Sequence, residues 1–556
     1  MNECLQLKKS NCKNCYKCIR YCPVKSIRFA DNQAHIIAQD CILCGECFLV
    51  CPQNAKEIRN DIDVARTLIQ SGKPVHVSLA PSFVPNYNVT LASMEKALLD
   101  LGFAGVEETA VGATIVAKEY EAVLAKGDTD VIISTCCHTV NLLVQKYYPE
   151  LVQNLAPVVS PMHAHCKDLK NRFGDIHTVF IGPCISKKDE GDTYRKDVDC
   201  VLTFEELTMW MEAEEKEFVP VAETEEAYLA RIFPTTGGVI QTMTERLSGY
   251  TYIAIDGTDR CIAALKDIRE GKLQKCFIEM SACQGSCING PAMDQKHRAP
   301  VRDYVAVSTF AGTENLKIAA ERQKALSKKF ASQAPRNIII DDSVIEETLR
   351  KMSKIRPDQE LNCGSCGYDT CRDKARAIIE GKADLTMCLP VLKEKAESFS
   401  DTIISHTPNG ILVVNENYEV SLINKVACEM LNIRSQSEIL GDQVVRVLDP
   451  TPFINAHTKG QDTIAKRKYL AEYKKHVEQT VIFDRDYHII ICIMRDVTSE
   501  MTELEARVAM SRNTIEITDK VIEKQMRTVQ EIASLLGETT AETKIALTKL
   551  KESLYD

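Results

Sequence analysis

The sequence of 556 residues predicts a multidomain protein of mixed α/β and α+β class. Three observations support this prediction. A four-cysteine motif occurs twice near the N-terminus, four short apolar runs alternate with helix-like stretches, and the last third changes from strand patterns to a seven-residue apolar repeat. We expect five domains, which cover residues 1–62, 63–325, 326–392, 393–500 and 501–556.

Charge and hydropathy exclude two classes of partner. Lysine and arginine number 68 against 78 aspartates and glutamates, so the net charge is −10, and no long basic run could hold a nucleic acid. The N-terminal MNECLQLKKSNC lacks an apolar signal-peptide core, and no stretch approaches the roughly 18 apolar residues of a membrane helix. We expect a cytoplasmic protein with no membrane partner, in which the 24 cysteines are mainly metal ligands.

The repeated cysteine motif predicts two [4Fe-4S] clusters. Residues 12–23 read CKNCYKCIRYCP and residues 41–52 read CILCGECFLVCP. In such pairs the fourth cysteine of each run ligates the other cluster. The motif therefore assigns one cluster to Cys12, Cys15, Cys18 and Cys51, and the other to Cys41, Cys44, Cys47 and Cys22. Zinc knuckles are the alternative, although zinc sites do not use this run with a terminal proline. The segment resembles bacterial two-cluster ferredoxins, which implies a ferredoxin-like fold and electron transfer.

Four apolar runs each end abruptly in a loop. They read PVHVSLAPS (74–82), DVIISTCCH (130–138), HTVFIGPCISKKDE (177–190) and KCFIEMSACQGSCING (275–290). Their alternation with helix-like stretches predicts parallel strands of one α/β sheet. Active sites of open α/β sheets lie beyond the carboxyl ends of the strands, so these loops should converge. The convergence would bring together Cys136, Cys137, Cys184, Cys283 and Cys287.

The three cysteine loops resemble the three signature loops of [FeFe]-hydrogenases. Those loops contain two adjacent cysteines, then P-C-x2-K-x2-E, then A-C-x-G-x-C-x2-G, in this order. The resemblance implies a hydrogenase domain that binds the H-cluster, a [4Fe-4S] cubane joined to a two-iron subsite with CO, CN and a bridging dithiolate amine. It implies dihydrogen and protons as substrates. It also implies that the cubane ligands are Cys137, Cys184, Cys283 and Cys287.

The same resemblance assigns roles to neighbouring residues. Cys136, the other thiol of the adjacent pair, would pass protons to and from the open iron position, which suits a thiol whose pKa can be shifted. Lys187 would donate a hydrogen bond to a cyanide of the two-iron subsite, whereas Lys188 is expected to be a solvated lysine. The residues expected to border the cofactor are Ala80, Pro81, Ser82, Pro183 and Ser281.

The chain departs from the hydrogenase pattern around the predicted pocket. His138 follows the cysteine pair where catalytic members have proline, and Gly182 and Ser281 stand where those members have methionine. We expect a looser, more polar pocket and slow turnover. Tyr120 occupies the position of an expected proton-carrying glutamate, so no relay is assigned beyond Cys136. Three histidines could line the pocket or form structural hydrogen bonds, namely His138, His163 and His165.

A third cysteine group follows the predicted hydrogenase domain. It resembles the small four-cysteine iron-sulfur module found beside electron-transfer proteins, which implies one further [4Fe-4S] cluster. Structural zinc is the alternative. The ligands would be Cys363, Cys366, Cys371 and Cys388.

The C-terminal third resembles a PAS domain followed by helices. Residues 398–433 show a helix, a turn and two strands with Asn424 at the family's usual asparagine, and residues 488–500 resemble the last PAS strand. Beyond them a seven-residue repeat predicts either a coiled coil or an amphipathic helix, with a helix break at Gly537. The repeat comprises Met501, Val508, Ile515, Ile522, Val529 and Leu536.

Taken in order, these modules resemble those of sensory [FeFe]-hydrogenases. The resemblance implies a redox partner such as ferredoxin, a signalling partner such as a kinase or phosphatase, and a homodimer as one oligomeric state. Two other functions are open. One is a metabolic hydrogenase linked to ferredoxin, and the other is an iron-sulfur scaffold or electron-transfer protein without the two-iron subsite.

Overall fold

In the computed structural model, the residues described are 4–8, 11–223, 227–294, 299–319, 322, 326–334 and 340–552. They form two compact units, residues 1–392 and 393–556. The predicted mixture of α/β and α+β architecture is confirmed.

The N-terminal part of the first unit is built from two similar halves. Strand β1 (Leu5–Leu7) precedes helix α1 (Lys17–Tyr21) and strand β2 (Ile27–Ala30); strand β3 (Gln33–Ile36) precedes helix α2 (Glu46–Leu49) and strand β4 (Lys56–Ile58). β1 pairs with β4 and β2 with β3, both antiparallel. Each helix starts inside a cysteine motif, after Tyr16 or Gly45 in the left-handed region, so the chain turns sharply between successive thiols.

Two parallel sheets form the middle of the chain. The elements up to the first cysteine loop are α3 (Ile62–Gln70), β5 (Val75–Leu79), α4 (Phe83–Tyr87), α5 (Leu91–Asp100), β6 (Gly105–Glu108), α6 (Ala110–Lys126), β7 (Val131–Ile133) and α7 (His138–Tyr147). Those up to the third loop are α8 (Pro161–Phe173), β8 (His177–Gly182), α9 (Ser186–Thr193), β9 (Cys200–Thr203), α10 (Phe204–Ala213), α11 (Gly238–Thr242), β10 (Thr251–Asp256), α12 (Thr258–Arg269) and β11 (Cys276–Ser281). Helix α13 (Pro300–Phe310) follows.

The prediction of a single sheet for this region is wrong. The strands form one sheet in the order β6-β5-β8-β9 and another in the order β10-β11-β7, both parallel. Apolar runs show that strands are buried, but they do not show which strands pair with each other. Each sheet has its own apolar core, the first around Leu79 and Ile181 and the second around Ile133 and Ile278.

The end of the first unit is a small helical module. It contains α14 (Asp342–Lys351), α15 (Cys371–Ile379) and the start of α16 (Leu389–His406). Ile345, Leu349 and Ala375 form its core together with the thiols of Cys371 and Cys388. Cys388 directly precedes the first residue of α16.

The second unit contains one antiparallel sheet and a long helix. Its strands are β12 (Gly410–Asn415), β13 (Val420–Ile423), β14 (Thr463–Leu470), β15 (Lys475–Asp484) and β16 (Ile489–Asp496), in the order β13-β12-β16-β15-β14. Helices α17 (Lys425–Met430) and α18 (Thr451–Lys459) connect β13 to β14, and α19 (Thr498–Glu552) ends the described chain.

Helix α19 is continuous through Gly537, so the predicted break at this residue is wrong. A glycine inside a helix costs about 1 kcal/mol relative to alanine, which good helix formers on either side can offset. Across the described part of the chain, no helix combines the length and the apolarity that crossing a membrane requires.

Lys188 is buried completely, which contradicts its predicted solvent exposure. Its Nζ donates to Asp61 Oδ2 at 2.7 Å, to Glu206 Oε1 at 2.9 Å and to the backbone oxygen of Val201 at 2.9 Å. These contacts join α9 to the start of α3 and to α10. A buried ammonium that is fully hydrogen-bonded to two carboxylates makes Lys188 part of the domain core.

Replacing Lys188 with methionine should destabilise the first unit, because the buried carboxylate of Glu206 would lose its counter-charge and Asp61 would keep only its pairing with Arg59. Removing one partner of a buried ion pair costs about 3–5 kcal/mol. Thermal unfolding of the full chain should therefore begin at a clearly lower temperature. Lys196→Met, at an exposed lysine on the same segment, is the control. Equal unfolding midpoints for the two variants would contradict this prediction.

Candidate functional site

The loops after β7, β8 and β11 converge on one buried cavity of about 60 Å³. The four thiols predicted to hold a cubane line it, together with Cys136 and Lys187. Among the predicted bordering residues, Ala80, Ser82, Pro183 and Ser281 also line it, whereas Pro81 is buried beside them and is not among the lining residues described. The remaining wall is largely apolar, with Met162, Phe180, Phe233, Pro234, Val239 and Met280.

Lys187 is fixed by a buried carboxylate. Its Nζ donates to Glu190 Oε2 at 2.5 Å and to the backbone oxygen of Cys136 at 3.1 Å. Burial alone would lower the pKa of Lys187, but Glu190 and Cys184 raise it, so the side chain is an ammonium. On the other side of Glu190, Lys328 Nζ lies 3.7 Å from Oε1. An ammonium has three N–H donors, so the third can face the cavity.

Cys136 contacts Tyr120. The Tyr120 hydroxyl lies 3.3 Å from Cys136 Sγ, and it accepts a hydrogen bond from the backbone N–H of Thr135 at 2.8 Å. Burial raises the pKa of Cys136 to about 12, although the Tyr120 hydroxyl opposes the rise. Cys136 is therefore a neutral thiol next to a neutral phenol. The sequence analysis singled out position 120 but could not show this contact, because Tyr120 lies on α6 and Cys136 follows β7, and no local pattern shows how these elements pack.

Glu279 is a pocket carboxylate that the sequence analysis missed. It lies in the middle of β11 and lines the cavity, and it accepts hydrogen bonds from the backbone N–H groups of Gly237 at 3.1 Å and Ile240 at 3.0 Å. Burial raises the pKa of Glu279 to about 7, although these N–H groups oppose the rise. The signal in the sequence was a glutamate within the apolar run CFIEMS.

The expected looser pocket is wrong at Gly182. A Cβ atom on Gly182 would lie 2.6 Å from Cζ of Phe180, so the Phe180 ring already fills the space that a larger residue at 182 would need. The Ser281 hydroxyl is paired with that of Ser286 at 2.9 Å. The space beside Gly182 is therefore filled, whereas Ser281 and Ser286 both stay among the residues that line the cavity.

The three histidines differ in their relation to the pocket. His138 lines it, and its Nε2 lies 2.9 Å from Asp189 Oδ2. His163 pairs with Asp197 at 2.8 Å, and His165 Nδ1 lies 2.8 Å from the hydroxyl of Ser78. Neither His163 nor His165 is among the described lining residues. Their hydrogen bonds are structural.

The two ferredoxin-like cysteine sets are grouped as the motif predicts. A second small cavity is lined by Cys22, Cys41, Cys44 and Cys47. Burial raises the pKa of Cys18 to about 11, and the neighbouring thiols of Cys12, Cys15 and Cys51 add to the rise. Each group thus takes its fourth thiol from the other motif.

The four cysteines of the third predicted cluster site also line one cavity. It is bordered by Cys363, Cys366, Cys371 and Cys388, and by the fully buried Lys374. Burial lowers the pKa of Lys374 to about 8, and the nearby thiols of Cys366 and Cys388 oppose this effect. A cation beside four thiolates would offset the charge of a bound cluster.

The thiols are arranged around cavities and do not meet at single points. Within the described ranges, no three histidine, cysteine, aspartate or glutamate side chains form a group that could hold one metal ion. A [4Fe-4S] cluster places its four thiolates around a cube rather than around one ion. The four-cysteine cavities therefore fit clusters in their donor type and donor number.

The ferredoxin-like part contacts both neighbours. Lys146 Nζ donates to the backbone oxygen of Cys41 at 2.7 Å, which joins α7 to the Cys22–Cys41–Cys44–Cys47 site. On the other side, Lys25 Nζ donates to the backbone oxygen of Gly367 at 2.9 Å. Cys22, Tyr368 and Cys366 belong to one apolar cluster. The central site thus lies between the cysteine-loop pocket and the four-cysteine module.

Comparison with known families gives four matches along the chain. Residues 4–65 match a 4Fe-4S dicluster domain, residues 68–291 the C-terminal domain of the iron only hydrogenase large subunit, residues 359–390 an Fe-S cluster family and residues 398–502 the PAS fold. The resemblance to [FeFe]-hydrogenases with ferredoxin-like, iron-sulfur and PAS modules is confirmed.

Individual relatives show the same likeness at low identity. The periplasmic [Fe] hydrogenase large subunit of Nitratidesulfovibrio vulgaris is 26% identical over 398 residues, which cover 58% of this chain and 94% of the relative. The cytosolic Fe-S cluster assembly factor NAR1 of Scheffersomyces stipitis is 26% identical over 224 residues, which cover 34% of this chain and 41% of the relative. A solved structure of the [FeFe]-hydrogenase HydA1 from Chlamydomonas reinhardtii aligns with a TM-score of 0.41 and 17% identity, over 50% of this chain and all of that one.

The raised pKa of Glu279 predicts a specific pH dependence of stability. In the folded chain the carboxyl group of Glu279 keeps its proton up to about pH 7. In the unfolded chain the same group loses its proton at about pH 4.3. The contribution of protonated Glu279 to the free energy of unfolding is therefore complete below about pH 4, and it is lost as the pH rises toward about 7. Glu279→Gln should remove this dependence, so that variant and wild type should diverge by about 3 kcal/mol between these limits.

The measurement is the thermal unfolding of both proteins without clusters, over this pH range, with Glu245→Gln as the control for an exposed glutamate. Parallel pH profiles for wild type and Glu279→Gln would show that Glu279 ionises in the folded state like a solvated carboxylate.

Proposed function

We propose that this chain is a cytoplasmic sensory [FeFe]-hydrogenase. It binds dihydrogen and slowly splits or forms it at an H-cluster, and it passes the resulting redox signal through its iron-sulfur modules and PAS domain to a partner protein. The observation that carries the proposal is the single cavity in which Cys136 and Lys187 lie beside Cys137, Cys184, Cys283 and Cys287.

The residues of this cavity fit an H-cluster. Four thiols can hold a cubane, and the third N–H of Lys187 is available for an acceptor on the two-iron subsite. The hydroxyl of Ser82 is buried and has no hydrogen-bond partner among the described residues, which leaves a donor on the same wall. When bound, the H-cluster would supply reversible heterolytic splitting of dihydrogen and the [4Fe-4S] clusters would carry the electrons.

The protein's own residues would exclude water and move protons. Phe180, Phe233 and Val239 keep the cavity largely apolar, which strengthens the hydrogen bonds made inside it. Cys136 is a thiol at the cavity wall, and we assign it the role of passing protons to and from the bound group. Burial raises its pKa, so the thiol holds its proton until a base in the cavity takes it. Lys187 stays charged beside Glu190 and positions a donor.

The contacts between modules support a redox signal that leaves through the four-cysteine module. The Cys22–Cys41–Cys44–Cys47 site contacts α7 on one side and Tyr368 of that module on the other. Two further hydrogen bonds hold the module in place, from Arg20 to the Ser365 oxygen at 3.0 Å and from the Phe29 N–H to the Lys382 oxygen at 2.8 Å. We assign one further [4Fe-4S] cluster to this module. We propose a soluble ferredoxin as the external redox partner of the chain.

The second unit has contacts suited to transmission toward a signalling partner such as a kinase or phosphatase. Asn424 accepts from the N–H of Ile411 at 2.9 Å and donates to the oxygen of Ile404 in α16 at 2.9 Å. At the other end, Thr498 Oγ1 accepts from the N–H of His476 at 3.0 Å. These bonds tie the helices before and after the sheet to its strands.

Two other functions remain to be separated by experiment. The similarity to the cluster assembly factor favours an iron-sulfur scaffold or electron-transfer protein without the two-iron subsite. The similarity to the periplasmic hydrogenase favours a metabolic enzyme linked to ferredoxin. A scaffold or electron-transfer protein would lack the two-iron subsite altogether, and a metabolic hydrogenase would turn over rapidly.

Infrared spectroscopy of protein matured anaerobically with the two-iron cofactor should show cyanide and carbonyl bands that shift under hydrogen. Lys187→Met should bind the subsite about 10–100-fold more weakly, because the ammonium donor is lost. Lys196→Met should retain the bands. Wild-type protein with complete iron-sulfur clusters and no such bands would rule out the hydrogenase proposal and support the scaffold. Shifting bands with fast hydrogen evolution would instead support the metabolic enzyme.

A homodimer formed through α19 gives a separate prediction. The seven-residue column is exposed from Val508 to Leu536, with Ile522 54% and Leu536 61% accessible, as expected if a second copy covers it. Ile522→Glu should shift the protein from dimer to monomer in light-scattering measurements. Ile517→Glu is the matched control, because Ile517 is 55% accessible and lies outside the column. A wild-type monomer, or equal loss in both variants, would contradict a dimer of this kind.

A further inference from the structure

A second, larger cleft borders the cysteine-loop pocket and has no role in the proposed function. Its volume is about 710 Å³, and sites that hold small molecules measure roughly 300–1,000 Å³. His138 lines both this cleft and the cysteine-loop pocket. We call it the basic cleft. Its lysine, arginine, aspartate and glutamate side chains are Lys146, Asp189, Asp192, Arg195, Lys328 and Lys329.

The charge of the basic cleft is opposite to that of the whole chain. Four lysine and arginine side chains line it against two carboxylates, although the chain carries a net charge of −10. Both carboxylates already have partners. Asp189 Oδ2 lies 2.9 Å from Nε2 of His138, and Asp192 pairs with Arg59 at 2.6 Å. The cleft therefore presents an excess of positive charge, which attracts anions and raises their local concentration.

Lys328 is a buried cation whose partner is shared. Its Nζ lies 4.8 Å from the ring centres of both Tyr194 and Phe330, which fixes its position in the cleft. It lies 3.7 Å from Glu190 Oε1, a distance too long for a strong hydrogen bond. Glu190 also accepts from Lys187 at 2.5 Å. An ammonium has three N–H donors, so Lys328 can donate to a further acceptor in the cleft.

Two exposed cations complete the positive side of the basic cleft. The Arg195 side chain is 69% accessible, and its guanidinium lies 3.0 Å from Asp192, which Arg59 also binds. Lys329 is exposed and makes no ion pair with any residue that the structure describes. A guanidinium can bind two oxygens of one phosphate or carboxylate group, and an ammonium acts as a point charge toward the same groups.

The segment that carries the two lysines is anchored to its neighbours. Gln145 on α7 donates from Nε2 to the backbone oxygen of Ala331 at 2.8 Å, and its own backbone oxygen accepts from the N–H of Gln333 at 2.8 Å. The N–H of Lys328 donates to the backbone oxygen of Pro157 at 3.0 Å. A site that is held in place before a ligand arrives loses less conformational entropy on binding.

We propose that the basic cleft binds a small anion that carries phosphate or carboxylate groups. Lys328, Lys329 and Arg195 donate hydrogen bonds to these groups, and Lys146 adds a fourth positive charge to the wall. The site is separate from the four thiols of the cysteine-loop pocket. Binding there goes beyond the proposed function and does not require an H-cluster.

The competing explanation is that these cations only hold residues 326–334 in place and that the cleft contains solvent. Lys329→Ala separates the two explanations, because Lys329 is exposed and the hydrogen bonds that anchor the segment come from other residues. Lys196→Ala is the matched control, since it removes an exposed lysine next to Arg195 that is not among the described lining residues. Lys329→Arg keeps the positive charge.

The experiment is isothermal titration calorimetry of the full-length protein with inorganic pyrophosphate and, separately, with citrate, at constant ionic strength. At least one probe should bind wild type with a Kd below about 1 mM. Lys329→Ala should weaken this binding about 10-fold, because one charge-assisted hydrogen bond is lost. Lys196→Ala and Lys329→Arg should bind the probe as wild type does.

The outcomes identify the ligand or reject the site. Tighter binding of pyrophosphate would assign the cleft to phosphate-bearing metabolites, and tighter binding of citrate would assign it to polycarboxylates. Absence of binding of both probes to wild type would overturn the proposal. Equal affinities of wild type and Lys329→Ala, or equal losses in Lys329→Ala and Lys196→Ala, would overturn it as well. None of these outcomes depends on whether the chain is a hydrogenase.

Discussion

The buried carboxylate of Glu190 is the contact on which the cysteine-loop pocket depends. Glu190 accepts from Lys187 and faces Lys328, and these charges hold its pKa well below the ordinary value although burial alone would raise it. Buried charges are stable only when paired. Lys187 is therefore fixed in one direction, three residues from Cys184, and the segment containing Lys328 is held against α9. The placement of Cys184 follows from these constraints, because Cys184 and Lys187 share the loop and helix that Glu190 fixes.

Charge pairing and apolar packing divide the work between modules. Within the hydrogenase-like part, buried pairs such as Lys188 with Asp61 and Glu206 join helices to one another. Between the ferredoxin-like part and the four-cysteine module, an apolar cluster is completed by the hydrogen bond from Lys25 to a backbone oxygen and by the ion pair of Lys382 with Asp40 at 3.0 Å. Charged side chains thus stand at the contact between the two thiol-lined parts, and nearby charge would alter the potential of any cluster held there.

The sequence predicted what spacing and periodicity can encode. The paired cysteine motifs predicted which thiols group together, and the cavity lined by Cys22, Cys41, Cys44 and Cys47 has this composition. The apolar runs predicted strands with converging ends, but the division into two sheets depends on pairing between distant segments, which no local pattern contains. Lys188 and Glu279 were missed for the same reason, because their burial depends on partners far along the chain. At Gly182 the small residue alone predicted a looser pocket, but the ring of Phe180 fills the space beside it.

The junction between Cys388 and α16 has a mechanical consequence. Leu389 is the first residue of the helix, so no linker separates the last thiol of the four-cysteine cavity from a helix whose far end is bonded to Asn424. Cys388 also packs in the apolar core of the four-cysteine module with Leu349 and Ala375. Any change in the position of this thiol would therefore act first on the packing of that core and on the first turn of α16.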